Sequence, residues 1–163
     1  MSIWKYIDIN PDAVEEVRQQ YLKILPQPAH FFLPVDIGLT KFNDWPVFRW
    51  VLIQAPPLQA GVIHIDHRPH DNNKLAINIP LINCDDASTE FFETTDTNTL
   101  VEYTRAGTPY INYNVANCKK VDEFILTKPV VFRTDIPHRV VNRSNQFRLG
   151  ISIRLVEDPW HLL

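Results

Sequence analysis

Short runs that read as strands follow one another along most of this chain, and apolar residues recur with a helical period in one stretch near its start. Val14, Val17, Tyr21, Leu22 and Leu25 recur at helical spacing. Asn10 stands before the run as an N-cap, and Pro11 occupies the first turn, where its missing N–H costs nothing. Asp12, Glu15 and Glu16 lie at the positive end of the helix dipole, and Pro26 stops the pattern. The spacing predicts an amphipathic helix over residues 11–25, resting on the outside of a sheet. Strand-like segments then follow at 48–55, 62–66, 75–82, 89–94, 109–115, 124–127, 130–132, 139–141 and 147–156, separated mostly by Asn, Asp, Pro or Gly. About eight or nine short strands after one helix, with no helical crossovers, predict an antiparallel sandwich or barrel.

Two of these strands have cleanly divided faces. In 147–156, Phe147, Leu149, Ile151, Ile153 and Leu155 share one side, with Arg148, Gly150, Ser152 and Arg154 on the other. In 75–82, Leu75, Ile77, Ile79 and Leu81 oppose Ala76 and Asn78. Polar groups beside small residues suit the wall of a ligand cavity inside a sandwich, and they suit a solvent-facing side equally well.

Composition narrows the class. Thirteen prolines against four glycines favour many short elements joined by stiff loops. A chain of 163 residues is the size of one domain, predicted to span 1–163 with its β core at about 46–157. The net charge is −3 and there is no Lys/Arg-rich run, so no nucleic-acid partner is expected. Cys84 and Cys118 make no disulfide framework, which fits a reducing compartment. Apolar runs fall short of the roughly 18 residues of a membrane span, and no basic-then-apolar leader opens the chain. A cytoplasmic protein without a membrane partner is the expectation.

The chemistry is concentrated in few residues. His64 and Asp66 form a His-x-Asp on a strand, and positions i and i+2 project to one face, so both can converge on one ion. His138 supplies a second imidazole at a strand start far downstream. Two histidines and a carboxylate with open positions are the facial triad of non-haem Fe(II) oxygenases. Arg148, ten residues after His138, can offer a dicarboxylic acid a bidentate guanidinium, and Ser152 on the same face a hydroxyl. The other candidates read more simply as structure. His67 faces away from the pair, His70 follows a proline in a loop, His30 precedes two phenylalanines, and His161 lies beside Trp160 in the tail. Tyr110, Asn112 and Asn114 alternate on a face that suits either a substrate pocket or water.

Taken in this order, His64-x-Asp66, His138 and Arg148 within PHRVVNRSNQFRLGISIRL resemble the 2-oxoglutarate/Fe(II)-dependent oxygenases, nearest the aspartyl/asparaginyl β-hydroxylase and proline hydroxylase-like branch. The resemblance implies a double-stranded β-helix (jelly roll, cupin-like). It implies Fe(II) on His64, Asp66 and His138, and 2-oxoglutarate as co-substrate. Arg148 would hold the C5 carboxylate of 2-oxoglutarate, with Asn78 and Ser152 as further contacts. The implied reaction uses O2 to hydroxylate an amino acid, a peptide side chain or a small metabolite, releasing succinate and CO2. Two alternatives share the architecture. One is a cupin-like protein that binds a metal or small molecule without oxidation, which has no need of a guanidinium ten residues past its last ligand. The other is a β-sandwich interaction module that holds no metal, and the plainest reading of the same residues is surface histidines with an Arg148/Arg154 salt-bridge stripe.

Overall fold

The computed structural model describes residues 2–21, 23, 32–67 and 74–163. In chain order the elements are β1 (Trp4–Tyr6), α1 (Pro11–Tyr21), β2 (Phe32–Val35), β3 (Lys41–Phe42), β4 (Trp45–Ala55), β5 (Ile63–Asp66), β6 (Leu75–Ile82) and β7 (Ala87–Thr94). They continue with β8 (Val101–Tyr103), β9 (Pro109–Tyr113), β10 (Cys118–Ile125), β11 (Val130–Arg133), β12 (His138–Asn142) and β13 (Arg148–Leu155). Every strand pairing is antiparallel. One sheet has the order β1-β11-β6-β13-β4-β2, with β3 paired to β4, and the other has the order β10-β7-β12-β5-β9-β8. Sequential strands are shared between the two sheets, the arrangement of a jelly roll.

The helix forms as its sequence dictates. Asn10 Oδ1 accepts from the Asp12 N–H at 3.0 Å, capping the first turn. Val17 and Tyr21 are buried in a core with Ile77, Ile79, Leu149, Ile151, Ile153 and Leu155, so α1 packs on the outer face of the first sheet. Burial of these aliphatic side chains stabilises the packing by about 1.5–3 kcal/mol each. The last predicted turn of the helix, Leu22 with 24–25, falls outside the described residues, as do His30 and His70.

Since the apolar side of β13 faces α1, its other side faces the second sheet. Arg148, Ser152 and Arg154 are therefore interior, at 1%, 0% and 2% exposure. The arginines of β13 therefore form no surface salt-bridge stripe. The strand expected at 124–127 is instead Cys118–Ile125, an edge strand carrying a bulge between Lys120 and Asp122. The chain also has four strands, β1, β2, β3 and β8, where no strand was predicted. Both cysteines are free. Among the described residues no helix is long and apolar enough to cross a membrane.

Candidate metal centre

His64 and Asp66 sit on β5, and β12 is its neighbour, with His138 in register opposite His64. Strand alternation thus places three side chains on one spot between the sheets. One ligand atom from each of His64, Asp66 and His138 lies within 4.8 Å of the others. Among the described residues no other trio of His, Cys, Asp or Glu comes together this way. Phe91 and Phe132 back the His138 ring at centroid distances of 6.1 and 5.6 Å.

Both imidazoles are held in the orientation a metal needs. His138 Nδ1 lies 2.8 Å from the Ile136 carbonyl, and His64 Nδ1 lies 3.0 Å from the Val62 carbonyl. A carbonyl only accepts, so Nδ1 carries the proton in each ring and Nε2 keeps its lone pair. His138 is 5% exposed. Its burial, and then the adjacent His64, pull its pKa down to about 4, so it is neutral near pH 7 and able to ligate. The two oxygens of Asp66 have separate tasks. Oδ1 faces His64 Nε2 at 3.8 Å, while Oδ2 accepts from Arg154 Nη2 at 2.5 Å. Arg154 Nη1 also donates to Ser152 Oγ at 2.8 Å. This Asp66–Arg154 pair joins residues 88 apart, and nothing in the strand pattern announced it.

A cavity of about 350 Å3 opens over the triad. Its wall takes His64, Asp66, His138, Asn78, Ser152 and Arg154 among its polar residues, with Phe32, Ile53, Val62, Pro109 and Val140 among the apolar ones. Asn78 is opposite Ser152 in the β6–β13 register, which puts both on the floor. Tyr110 also lines the cavity, its hydroxyl donating to Glu102 at 3.1 Å, whereas Asn112 turns its amide to Glu102. Asn114 instead caps the short helix Val115–Asn117. His161 packs its ring against Trp45 at 6.3 Å, well apart from the triad.

Arg148 is not part of the cavity wall, though it shares the inward face of β13 with Ser152 and Arg154. Its Nε and Nη1 have no hydrogen-bond partner. Burial lowers its pKa from the usual guanidinium value, and the neighbouring Cys84 thiol opposes that shift. Gly150 leaves it room, since a Cβ there would stand 3.4 Å from Arg148 Nη2 and 3.2 Å from Leu126 Cδ2. A buried guanidinium with vacant donors is the complement of a carboxylate. The turn that delivers it is pinned by Asn142, whose Nδ2 donates to the carbonyls of Ala55, Pro56 and Gln146. The donor set suits a divalent transition metal, and Arg148 suits an anion. Asn78 Oδ1 and Thr89 Oγ1, both buried and both on cavity-lining residues, likewise lack partners.

Comparison with models of known protein families gave no match, and neither did comparison with curated protein sequences. Solved structures do match. A Pseudomonas putida prolyl-4-hydroxylase aligns with a TM-score of 0.49 and 14% identity, over 94% of this chain and 91% of that one. AviO1 from Streptomyces viridochromogenes Tue57 aligns with a TM-score of 0.43 and 14% identity, over 93% and 86% of the respective chains. EvdMO1 aligns with a TM-score of 0.43 and 12% identity, over 91% of this chain and 31% of that one.

Proposed function

We propose that this protein is a non-haem Fe(II), 2-oxoglutarate-dependent oxygenase that hydroxylates its substrate. The observation that carries the reading is the convergence of His64, Asp66 and His138 within 4.8 Å, with both Nε2 lone pairs directed away from their backbone anchors. Two imidazoles and one carboxylate would hold the iron on one side and leave the remaining positions to ligands. Arg148 would take the distal carboxylate of 2-oxoglutarate, which explains why a guanidinium is buried with Nε and Nη1 vacant. Asn78 and Ser152, side by side on the floor, are the polar groups placed to contact the rest of the co-substrate. Iron and co-substrate together supply the oxidising power for C–H hydroxylation.

The chain's own residues do the remaining work. The carbonyls of Val62 and Ile136 fix both ring tautomers. Arg154 draws Asp66 Oδ2 aside and leaves Oδ1 toward the histidines. Phe132, Ile53 and Val140 give the cavity apolar surface beside the triad, and a low-dielectric neighbourhood strengthens electrostatic contacts. Arg148 also argues against a cupin that only binds a metal, which would bury a guanidinium to no purpose.

The test is succinate release from 2-oxoglutarate after anaerobic Fe(II) loading and admission of O2. Turnover is expected in the wild type and absent in His64→Ala, Asp66→Ala and His138→Ala. Succinate formed equally well by His138→Ala would remove that histidine from the site.

A further inference from the structure

Two crossings between the sheets meet beside the triad. One leaves β5 after Asp66 and reaches β6 at Leu75, and the other leaves β11 after Arg133 and reaches β12 at His138. Thr134, a buried residue, ties them together. Its carbonyl accepts from the Asp66 N–H at 3.1 Å, and its own N–H and Oγ1 both donate to the Lys74 carbonyl, at 2.8 and 3.1 Å. Two residues on, the Ile136 carbonyl anchors His138 Nδ1 at 2.8 Å. Residues 134–136 thus hold the backbone of one candidate ligand and the ring of another.

The C-terminal segment grips this junction from the far side. Asp158 Oδ2 accepts from the Lys74 N–H at 2.6 Å, and its Oδ1 accepts from the Leu75 N–H at 3.0 Å. Lys74 is therefore held by its N–H to the carboxylate and by its carbonyl to Thr134. The β6–β11 ladder ends at the Leu75–Arg133 pair, so Thr134 and Asp158 continue the pairing where the strands stop. Asp135 steadies the same bend, accepting from Arg133 Nε and Nη2 at 3.0 and 2.8 Å. The tail itself is anchored, with Trp160 under the Arg133 guanidinium at 6.0 Å and Leu162 and Leu163 packed on the core around α1 and β13.

From this geometry we infer that Thr134 and Asp158 are positioning residues of the metal centre, and that the C-terminal segment, acting through Lys74 and Thr134, sets the placement of Asp66 relative to His138. The inference rests on the metal site proposed above. Both residues act through the backbone and not by ligation. The apparent affinity of a site falls with the fraction of molecules that hold the competent geometry, so loosening either anchor weakens metal binding while every ligand stays in place.

The experiment titrates the wild type and variants with Mn(II), read from the free-ion EPR signal, and records the visible spectra of the Co(II) forms. Neither readout needs turnover. Thr134→Val keeps the shape and loses the Oγ1 donor. It should weaken Mn(II) binding about fivefold, the scale of one neutral hydrogen bond, and Thr134→Ser should restore it. Asp158→Ala loses two charge-assisted bonds and should weaken binding about tenfold or more. Asp158→Asn keeps one acceptor oxygen and should fall between, and it decides the case should Asp158→Ala fail to fold. The Co(II) bands should shift along with these losses. Val17→Ala is the control, since Val17 is buried in α1 away from the junction: it should melt lower yet keep wild-type Mn(II) affinity and Co(II) bands. Coupling is reciprocal, so Mn(II) should slow hydrogen exchange at the Lys74 and Leu75 amides of the wild type. Wild-type affinity in either Thr134→Val or the Asp158 variants, or an equal loss in Val17→Ala, would overturn the inference and leave the metal site standing. Failure of Mn(II) to bind the wild type would overturn the metal site, and this inference with it.

Discussion

Arg148→Met should make the ligand-free protein more stable while abolishing its response to 2-oxoglutarate. Arg148 is 1% exposed, and its Nε and Nη1 have no partner. Each unsatisfied buried donor costs about 1–3 kcal/mol, so two cost roughly 2–6 kcal/mol. Methionine keeps an unbranched apolar stem in the same space and removes both donors, at the expense of a small void. Replacing buried charged groups with apolar ones of similar volume is neutral to stabilising by about 1–4 kcal/mol, and about 2 kcal/mol is the expectation here. In a domain of this size that raises Tm by about 4–8 °C. With Mn(II) present, 2-oxoglutarate at a hundred times its Kd should stabilise the wild type by about 2.7 kcal/mol. The Met variant should show none of that shift. Arg148→Lys should regain part of it, since an ammonium lacks the planar fork. Calorimetric melts of the three proteins with and without ligand decide the matter. A Met variant that keeps the 2-oxoglutarate shift would refute the anion assignment. One that melts below the wild type without ligand would refute the reading of the guanidinium as unsatisfied.

The acid sensitivity of the metal-free protein follows from His138. Its folded pKa, about 4, lies below the ordinary value of 6.5, so the unfolded chain takes up the proton first as pH falls. Stability is full above pH 6.5 and declines toward pH 4 by roughly 3 kcal/mol, at about 1.4 kcal/mol per unit. Urea unfolding at pH 4.5 and 7.5 should show this decline, and His138→Gln should flatten it. Arg154→Met, which frees Asp66 Oδ2, should weaken Mn(II) binding by about 10–100-fold by EPR titration, and unchanged affinity would deny Arg154 its orienting role. In the proposed site Asp66 would fill the third ligand position, so the product in 18O2 with chloride present should gain one labelled oxygen and no chlorine by mass spectrometry, and Asp66→Gly should lose hydroxylation.

The site was legible because it is written in local rules. His64 and Asp66 share a face by strand alternation alone, while His138 opens β12 and Arg148 opens β13, the next strand along the chain. The inward polar side of β13 was legible as a pattern, but not as interior, since the same alternation describes a wetted surface. Burial by the opposite sheet settled it, and the Asp66–Arg154 pair is a product of that tertiary contact. Ser152, expected as a co-substrate donor, also accepts from Arg154. The missed strands have physical reasons. β2 contains Pro34, tolerated because β2 is an edge strand paired only with β4. β10 is also an edge, and Lys119, Lys120, Asp122 and Glu123 hide its period. β1, β3 and β8 are two or three residues long, too short for any periodicity.

Anaerobic titration of the protein with Fe(II) and then 2-oxoglutarate tests the central claim most directly, because a 2-oxo acid chelated to ferrous iron absorbs visible light. The wild type should develop that absorption at one equivalent of iron, with His138→Ala and Asp66→Ala remaining colourless and Arg148→Met requiring far more 2-oxoglutarate. A colourless wild type, or an equal band in His138→Ala, would contradict the account.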